Sequence, residues 1–353
     1  MHIEENKPLA PFTTFAIGGP ARWFVEAASE DEIAEAVGWA SERGVPLFVL
    51  GGGSNLLIAD AGFSGLVLKV GLRGITVSAP DAAGQVLLNA AAGEDWEHCV
   101  QRSIEAGCAG LECLAGIPGT VGGTPVQNVG AYGQEVASTI VRVRAYDLKL
   151  RAFVEFINAE CGFAYRHSRF NSADRGRFIV TRVDYRLAHG GAPVIRYAEL
   201  QRALAAVESR EAPRLAEVAE VVRRLRQSKG MLMVEGEADC RSAGSFFKNP
   251  VVAADQVQRI AASSGQQPPN FATATEGQVK IPAAWLIEQA GFRKGYALGA
   301  AAVSTRHTLA LTNRGGATAA EVLALAAKIA AAVEERFGIR LEMEPVRVGF
   351  EDV

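Results

Sequence analysis

Three glycines, Gly51-Gly52-Gly53, end an apolar run, Leu47-Phe48-Val49-Leu50, and lead into Ser54-Asn55-Leu56. Glycines after a buried strand let the backbone approach a ligand and turn its N–H groups toward an anion. A Rossmann dinucleotide fingerprint would need glycine at position 56, which is leucine, and no Gly-Lys-Ser/Thr makes a nucleotide phosphate loop. The plain alternative is a tight strand-to-turn connection. A second dense stretch reads Gly116-Ile117-Pro118-Gly119-Thr120-Val121-Gly122-Gly123, followed by Gln127-Asn128-Val129-Gly130-Ala131-Tyr132-Gly133. Two glycine-rich elements about 65 residues apart, each with small hydroxyl residues, suit a dinucleotide held by backbone amides. Long ordered loops of this kind are usually functional.

Three further groups could carry chemistry. In Phe163-Ala164-Tyr165-Arg166-His167-Ser168 an arginine beside aromatics could clamp a carboxylate, or simply lie solvated. In Ser242-Ala243-Gly244-Ser245-Phe246-Phe247-Lys248-Asn249-Pro250 a hydroxyl sits in an open turn anchored by two phenylalanines; taken alone it reads as a structural turn, and no Gly-x-Ser-x-Gly elbow exists. Leu341-Glu342-Met343-Glu344-Pro345 offers two carboxylates in a C-terminal strand, where charged edge residues are ordinarily solvated.

The elements that must position these groups are legible from caps and periodicity. Ser29 with Glu32 is a capping box before Ile33, Ala36, Val37 and Ala40, and Gly44 stops that helix. Strand-like runs are Leu66–Leu68, Val86–Ala90, Ile140–Tyr146 and Phe153–Ile157. Ile179, Thr181, Val183, Tyr185 and Leu187 alternate as a strand does. A short helix is expected over Asp95–Ile104, ending near Gly107. Pro213 precedes a stripe of Leu215, Val218, Ala219, Val222 and Leu225, and the pattern breaks over Gln227–Ser242, a domain boundary. Pro282 opens a helix through Trp285, Leu286 and Ala290 that stops at Gly291. Thr318 and Glu321 box the last helix, whose face is Val322, Leu325, Ile329, Val333 and Phe337, with Gly338 as its cap and a strand-like tail beyond. Without strict strand–helix alternation the class is α+β.

At 353 residues and about 150 per domain, two or three domains are expected. Hydrophobic residues are 49% and charged ones 21%, an ordinary globular composition. A net charge of −3 gives no electrostatic reason to expect nucleic acid or an anionic membrane as partner. No apolar run approaches the roughly 18 residues of a membrane span. Met1–Lys7 lacks the basic start and apolar core of a signal peptide. The five cysteines, Cys99, Cys108, Cys113, Cys161 and Cys240, form no Cys-x-x-Cys pair, so no metal site is expected. The expectation is a reduced, cytoplasmic protein with buried structural thiols.

The five groups occur together and in this order, preceded by Phe12-Thr13-Thr14-Phe15-Ala16-Ile17-Gly18-Gly19. As an ordered set they resemble the UDP-N-acetylenolpyruvoylglucosamine reductase family over essentially the whole chain. Members are bacterial flavin enzymes that complete UDP-N-acetylmuramate synthesis for peptidoglycan. The resemblance implies a PCMH-type, vanillyl-alcohol-oxidase-like FAD-binding module of two subdomains plus a separate α+β substrate domain. The segments implied are 1–68 with 338–353, then 69–224, then 225–337, with the FAD-binding region at about 17–190. Ile195-Arg196-Tyr197-Ala198-Glu199-Leu200 looks like the family class with an extra tyrosine-bearing loop.

By resemblance, Gly51, Gly52, Gly53, Ser54 and Asn55 with Gly116, Ile117, Pro118, Gly119, Thr120, Gly122 and Gly123 form the flavin pyrophosphate cradle. Asn128, Gly130, Ala131 and Tyr132 match the second flavin loop. Arg166 matches the active-site arginine, Ser245 the proton-donating serine, and Glu344 the catalytic glutamate. The family's tail motif, Leu-Glu-Pro-Glu-Val-Arg, reads Leu-Glu-Met-Glu-Pro-Val-Arg here, with Met343 for the expected proline and Glu342 as the fallback carboxylate. Tyr197, Lys229, Asn249 and Glu288 are the implied substrate residues. The segment between Lys229 and Ser245, carrying Glu235, Glu237, Asp239 and Arg241, looks longer than in the commonest members. The implied partners are non-covalent FAD, NADPH as reductant and the UDP-N-acetylglucosamine enolpyruvate substrate, acting in a monomer. Two other readings compete. One is a flavin oxidase of the same superfamily, although Ser54 and Asn55 offer no His or Cys tether after Gly53. The other is a non-catalytic UDP-sugar-binding protein, which would be colourless.

Overall fold

The computed structural model describes residues 1–206, 212–273 and 275–350. The chain divides into two compact units, one of Met1–Lys7, Ala21–Gly52 and Ser64–Arg226, the other of Pro8–Pro20, Gly53–Phe63 and Gln227–Val353.

The first unit is built on two sheets. In one, strands run in the order Glu4–Pro8, Pro20–Ala27, Phe63–Val70, Leu47–Leu50, the last pair parallel. The helix Glu30–Glu42 supplies Ile33, Ala36, Val37 and Ala40 to the core. Its Ser29 side chain caps the Glu32 N–H at 3.2 Å, while the Glu32 carboxylate reaches back to the Ala28 N–H at 2.6 Å. The second sheet is antiparallel. Its central strand, Phe178–His189, lies between Ile140–Asp147 and Gln85–Ala91, with Val183 facing Val143 on one side and Ala90 on the other. The face of that strand that carries Ile179, Thr181, Val183, Tyr185 and Leu187 is buried, which suits β-branched and aromatic residues, whereas Arg182 and Arg186 lie on the other face, half-buried and exposed. Trp96 is fully buried at the start of helix Trp96–Glu105, its ring 5.8 Å from Tyr185 and its Nε1–H on the Leu114 carbonyl.

The second unit closes around the helix Ala319–Phe337, whose capping box at Thr318 and Glu321 forms as expected and whose Gly338 adopts φ 65°. Val322, Leu325, Ile329 and Val333 are all buried there. The tail strand Val346–Val348 runs parallel to Leu56–Ile58. Both of these strands belong to the second unit. The break over Gln227–Ser242 falls in the structure between Arg226 and Gln227, at the end of the helix Leu215–Ser228.

Several elements had no clear sequence signal. The strands Glu4–Pro8 and Pro20–Ala27 carry charged or proline residues, and the helices Ala198–Ala205 and Gln256–Ser264 each bury a single residue. Tyr197 ends the stretch 192–197, which has no regular element, and is the N-cap residue of Ala198–Ala205. All five cysteines are buried thiols, and burial pushes Cys99, Cys113 and Cys161 up to about 12. Among the described residues no helix is long and apolar enough to cross a membrane.

Candidate active site

In the first unit the two glycine stretches meet. A Cβ on Gly52 would lie 2.5 Å from the Gly119 Cα and 2.9 Å from the Thr120 nitrogen, so only glycine permits the approach. Thr120 bridges to Asp95, the residue that caps helix Trp96–Glu105, and the Trp96 N–H donates to the Gly119 carbonyl at 3.0 Å. Gly122 is fixed from below: its N–H bonds the Ala92 carbonyl at 2.8 Å, and a Cβ there would sit 2.7 Å from the Ala92 Cβ. At Gly123, in contrast, a Cβ would meet nothing within 4 Å. Ile117, Pro118, Gly119 and Thr120 are half-buried. The closely packed backbone of these two glycine stretches fits a diphosphate, which backbone N–H groups can bind without a cation.

The turn at Gly116 is gripped by two charged side chains that the motif reading did not single out. Arg226 Nε donates to the Gly116 carbonyl at 2.8 Å, and the Gly116 N–H donates to the Glu97 carboxylate. Arg223 Nε in turn holds Glu97 at 2.7 Å. Burial pushes the Arg226 guanidinium down to about 10, which still leaves it charged at neutral pH. A signal existed: Arg226 follows Val222 by four residues, so an arginine sits on the apolar stripe of its helix.

The second loop and the arginine also come together. Asn128 is 1% exposed. Its side chain accepts the Ala137 N–H and donates to Glu135 and to the Ala164 carbonyl at 2.9 and 3.1 Å. Its amide therefore braces the loop against the Arg166 turn. Ala164 and His167 pair across that turn, with Tyr165 and Arg166 at its tip. Arg166 Nη1 donates to the Gly130 carbonyl at 3.1 Å. Of the six non-glycine residues with positive φ among those described, Asn128, Tyr132 and Arg166 all lie here. Such strain persists where the surroundings over-determine it, and it clusters at functional sites. The Tyr197 ring stands edge-on to Tyr132 at 5.7 Å. Burial raises the Tyr132 phenol to about 12 and raises Tyr197 as well, so both hydroxyls remain proton donors.

In the second unit Ser245 and the tail are joined. The Glu344 N–H donates to the Phe246 carbonyl at 2.9 Å, Phe247 bridges to Met343, and the Lys248 N–H donates to the Glu342 carbonyl at 2.9 Å. Ser245 and Glu344 are half-buried, whereas Glu342 is exposed and ion-paired to Lys248 at 3.2 Å. Asn55 fixes the tail from the other side, its Nδ2 donating to the Glu344 carbonyl at 3.3 Å. The Phe12–Gly19 stretch supports the serine: Thr14 Oγ1 donates to the Ser242 carbonyl at 2.6 Å, and the Phe15 and Phe246 rings meet edge-on at 6.3 Å. Gly53, at φ 62°, packs directly on the Phe12 carbonyl. The Asn249 Oδ1 accepts the Ala283 N–H at 2.9 Å, and exposed Glu288 accepts the Thr308 hydroxyl at 2.9 Å. Lys229 is half-buried, one residue past the helix Leu215–Ser228.

Residues 21–149 match an FAD binding domain model, and residues 236–348 match the C-terminal domain model of UDP-N-acetylenolpyruvoylglucosamine reductase. The chain is 49% identical to the UDP-N-acetylenolpyruvoylglucosamine reductase of Streptomyces coelicolor, over 98% of this chain and 90% of that one. It is 46% identical to the enzyme of that name from Thermobifida fusca, over 98% and 97%. The crystal structure of the Thermus caldophilus reductase superposes with a TM-score of 0.65 at 27% identity, covering 99% of each chain. With backbone loops suited to a diphosphate and near full-length identity to these enzymes, the chain belongs to the UDP-N-acetylenolpyruvoylglucosamine reductase family and is an FAD-dependent oxidoreductase.

Proposed function

We propose that this enzyme reduces the enolpyruvyl group of UDP-N-acetylglucosamine enolpyruvate to give UDP-N-acetylmuramate, with NADPH as the reductant. Bound FAD would supply the redox chemistry there, hydride transfer from NADPH to the β-carbon of the double bond. The chain's residues do the rest. Gly51–Asn55 and Gly116–Gly123 hold the diphosphate of the cofactor, with Asn128, Gly130, Ala131 and Tyr132 as the second loop. Hydride addition leaves the substrate carboxylate as its enolate form. Arg166 and a protonated Glu344 stabilise that charge, and Ser245 then gives a proton to the α-carbon. A serine hydroxyl is a weak acid in water, so this step depends on a strongly basic intermediate and fixed geometry. Tyr197 and Lys229 bind the substrate diphosphate, Tyr197 as a closing aromatic with a hydroxyl, and Asn249 and Glu288 complete the substrate contacts. In this assignment residues 1–68 with 338–353 and residues 69–224 carry the flavin, and 225–337 the substrate.

The observation that carries the reading is the pairing of Glu344 with Phe246, which sets a half-buried carboxylate strand against the Ser245 turn. The test is anaerobic reoxidation of the NADPH-reduced enzyme by the enolpyruvyl substrate, followed by flavin absorbance. Reoxidation with one equivalent of UDP-N-acetylmuramate formed is expected. Failure of the substrate to reoxidise the flavin, with oxygen doing so instead, would favour the oxidase reading.

A further inference from the structure

The residue proposed to bind the substrate diphosphate, Lys229, stands between two points that a distant loop holds in place. On its N-terminal side, the Gln227 carbonyl accepts both the Gly230 N–H at 3.0 Å and Arg306 Nη1 at 2.9 Å. A cation there satisfies one of the carbonyls that a helix end leaves over, and it lies at the negative end of the helix dipole. On the other side, Gly230 adopts φ 66°, and a Cβ on it would lie 3.2 Å from the Asp239 Cβ and 3.6 Å from the Ser304 hydroxyl.

Asp239 and Arg306 are themselves tied together. The Asp239 carboxylate accepts the Thr305 N–H at 3.1 Å, the Thr305 hydroxyl, and the Ser304 hydroxyl at 3.3 Å. Arg306 Nη1 pairs with Glu237 at 2.8 Å, and Arg306 Nε lies 4.0 Å from Asp239. Cys240 folds the same segment on itself, its Sγ lying 3.0 Å from the Glu237 carbonyl oxygen, to which the thiol can donate, and 3.3 Å from that of Val234. The Arg241 carbonyl accepts the Asn313 N–H at 2.9 Å, docking the segment on the strand Leu311–Asn313. The loop 304–310 that supplies these contacts joins the strands Ala301–Val303 and Leu311–Asn313. The Ser304 hydroxyl also accepts the Arg306 and His307 N–H groups within the loop at 3.0 and 3.2 Å, and the Asp239 and Arg306 contacts converge on the residues either side of Lys229.

We propose that Arg306, with Asp239, is a positioning residue for Lys229: the pair clamps segment 227–241 so that the ammonium is presented to the substrate diphosphate in one place. A flexible lysine stem carries large rotamer freedom, so an anchored backbone lowers what binding must immobilise. The proposal rests on the diphosphate role given to Lys229, and the experiment separates the two.

Four forms of the FAD-loaded enzyme are compared by steady-state kinetics with the enolpyruvyl substrate: Lys229→Ala, Arg306→Ala, Arg306→Lys and the double variant Arg306→Ala/Lys229→Ala. Arg306→Ala is expected to raise KM about tenfold with kcat within about threefold. Arg306→Lys should recover most of that loss, because an ammonium still reaches the Gln227 carbonyl, and it also serves if the alanine variant folds poorly. The double variant should be no worse in KM than Lys229→Ala alone, since a positioning residue has nothing to contribute once its target is gone. If the two effects multiply, or if Arg306→Ala leaves KM within twofold while Lys229→Ala raises it, the clamp is not a device for Lys229 and the proposal falls. An unchanged KM in Lys229→Ala would overturn the diphosphate role itself, whatever the Arg306 variants do.

Discussion

The Glu344 N–H donates to the Phe246 carbonyl at 2.9 Å, which sets the backbone of the tail against the turn that carries Ser245. The same pairing leaves Glu342 exposed against Lys248. The inserted Pro345 had left two carboxylates open in the sequence. Glu344 is half-buried and Glu342 lies in an exposed ion pair, which supports the proposed choice of Glu344.

Ser245→Ala is expected to bind FAD and to be reduced by NADPH at near-normal rates. Reoxidation by the enolpyruvyl substrate should slow by about 10⁴-fold, the top of the range for general acid groups. Ser245→Cys should restore part of the rate, because a thiol can donate from a similar position. Stopped-flow flavin absorbance resolves the two halves, and normal anaerobic reoxidation in Ser245→Ala would return Ser245 to the role of a turn residue.

Glu344→Gln should slow the same half-reaction about 10²–10³-fold, the usual cost of removing one group that stabilises developing negative charge. Glu342→Gln removes only an exposed ion pair, which contributes about 0–1 kcal/mol, and its rates should match the parent within about twofold. Parallel single-turnover traces of both variants check the assignment, and the reverse pattern would move the role to Glu342.

The glycines divide by what lies under them. Gly123→Ala meets no neighbour, so it should fold normally and bind FAD about tenfold more weakly, a change of about 1.4 kcal/mol. Gly122→Ala presses on Ala92 and should cost stability first, by about 1–3 kcal/mol. Gly52→Val must part the two loops and should lose FAD. Thermal melting of the apo-proteins beside flavin-fluorescence titration distinguishes the three, and a Gly123→Ala protein with unchanged FAD affinity would remove that residue from the cradle.

Asp147 accepts Arg177 Nη2 at 2.7 Å and the backbone N–H groups of Lys149 and Leu150 at 2.8 and 3.3 Å. Arg177 in the first place, with those N–H groups, holds its carboxyl down at about 2. Because the folded value lies below the unfolded one, the interaction stabilises the fold fully above the ordinary carboxylate range. Its contribution is lost as pH falls from about 4 toward 2. Asp147→Asn should therefore be less stable than the parent at pH 6 and should lose less between pH 4 and pH 2. Urea midpoints across that interval measure it, and parallel curves for the two proteins would show that the pair does not carry the acid sensitivity.

What the sequence determined by itself is local. The helix at Ser29, the helix and capping box at Thr318 and Glu321, and the strand through Val183 were readable because their signals lie within one turn or one pleat of the chain. The ordered motifs likewise pointed to the flavin family. Tertiary structure alone decided how those motifs are held. Thr14 reaches the Ser242 carbonyl across 228 residues, and Asn55 reaches Glu344 across 289, so no spacing rule could pair them. Asn128 matched the second flavin loop by motif, and only the fold shows that its amide also braces that loop against the Arg166 turn. Arg226 and Glu97 passed unnoticed because each looks like an ordinary helix charge until the Gly116 turn is brought between them. Local hydrogen bonds and periodic burial are written in neighbouring residues. The closing contacts of a site depend on register and on which surfaces meet once the chain has condensed, and one sequence records these only as isolated residues awaiting partners.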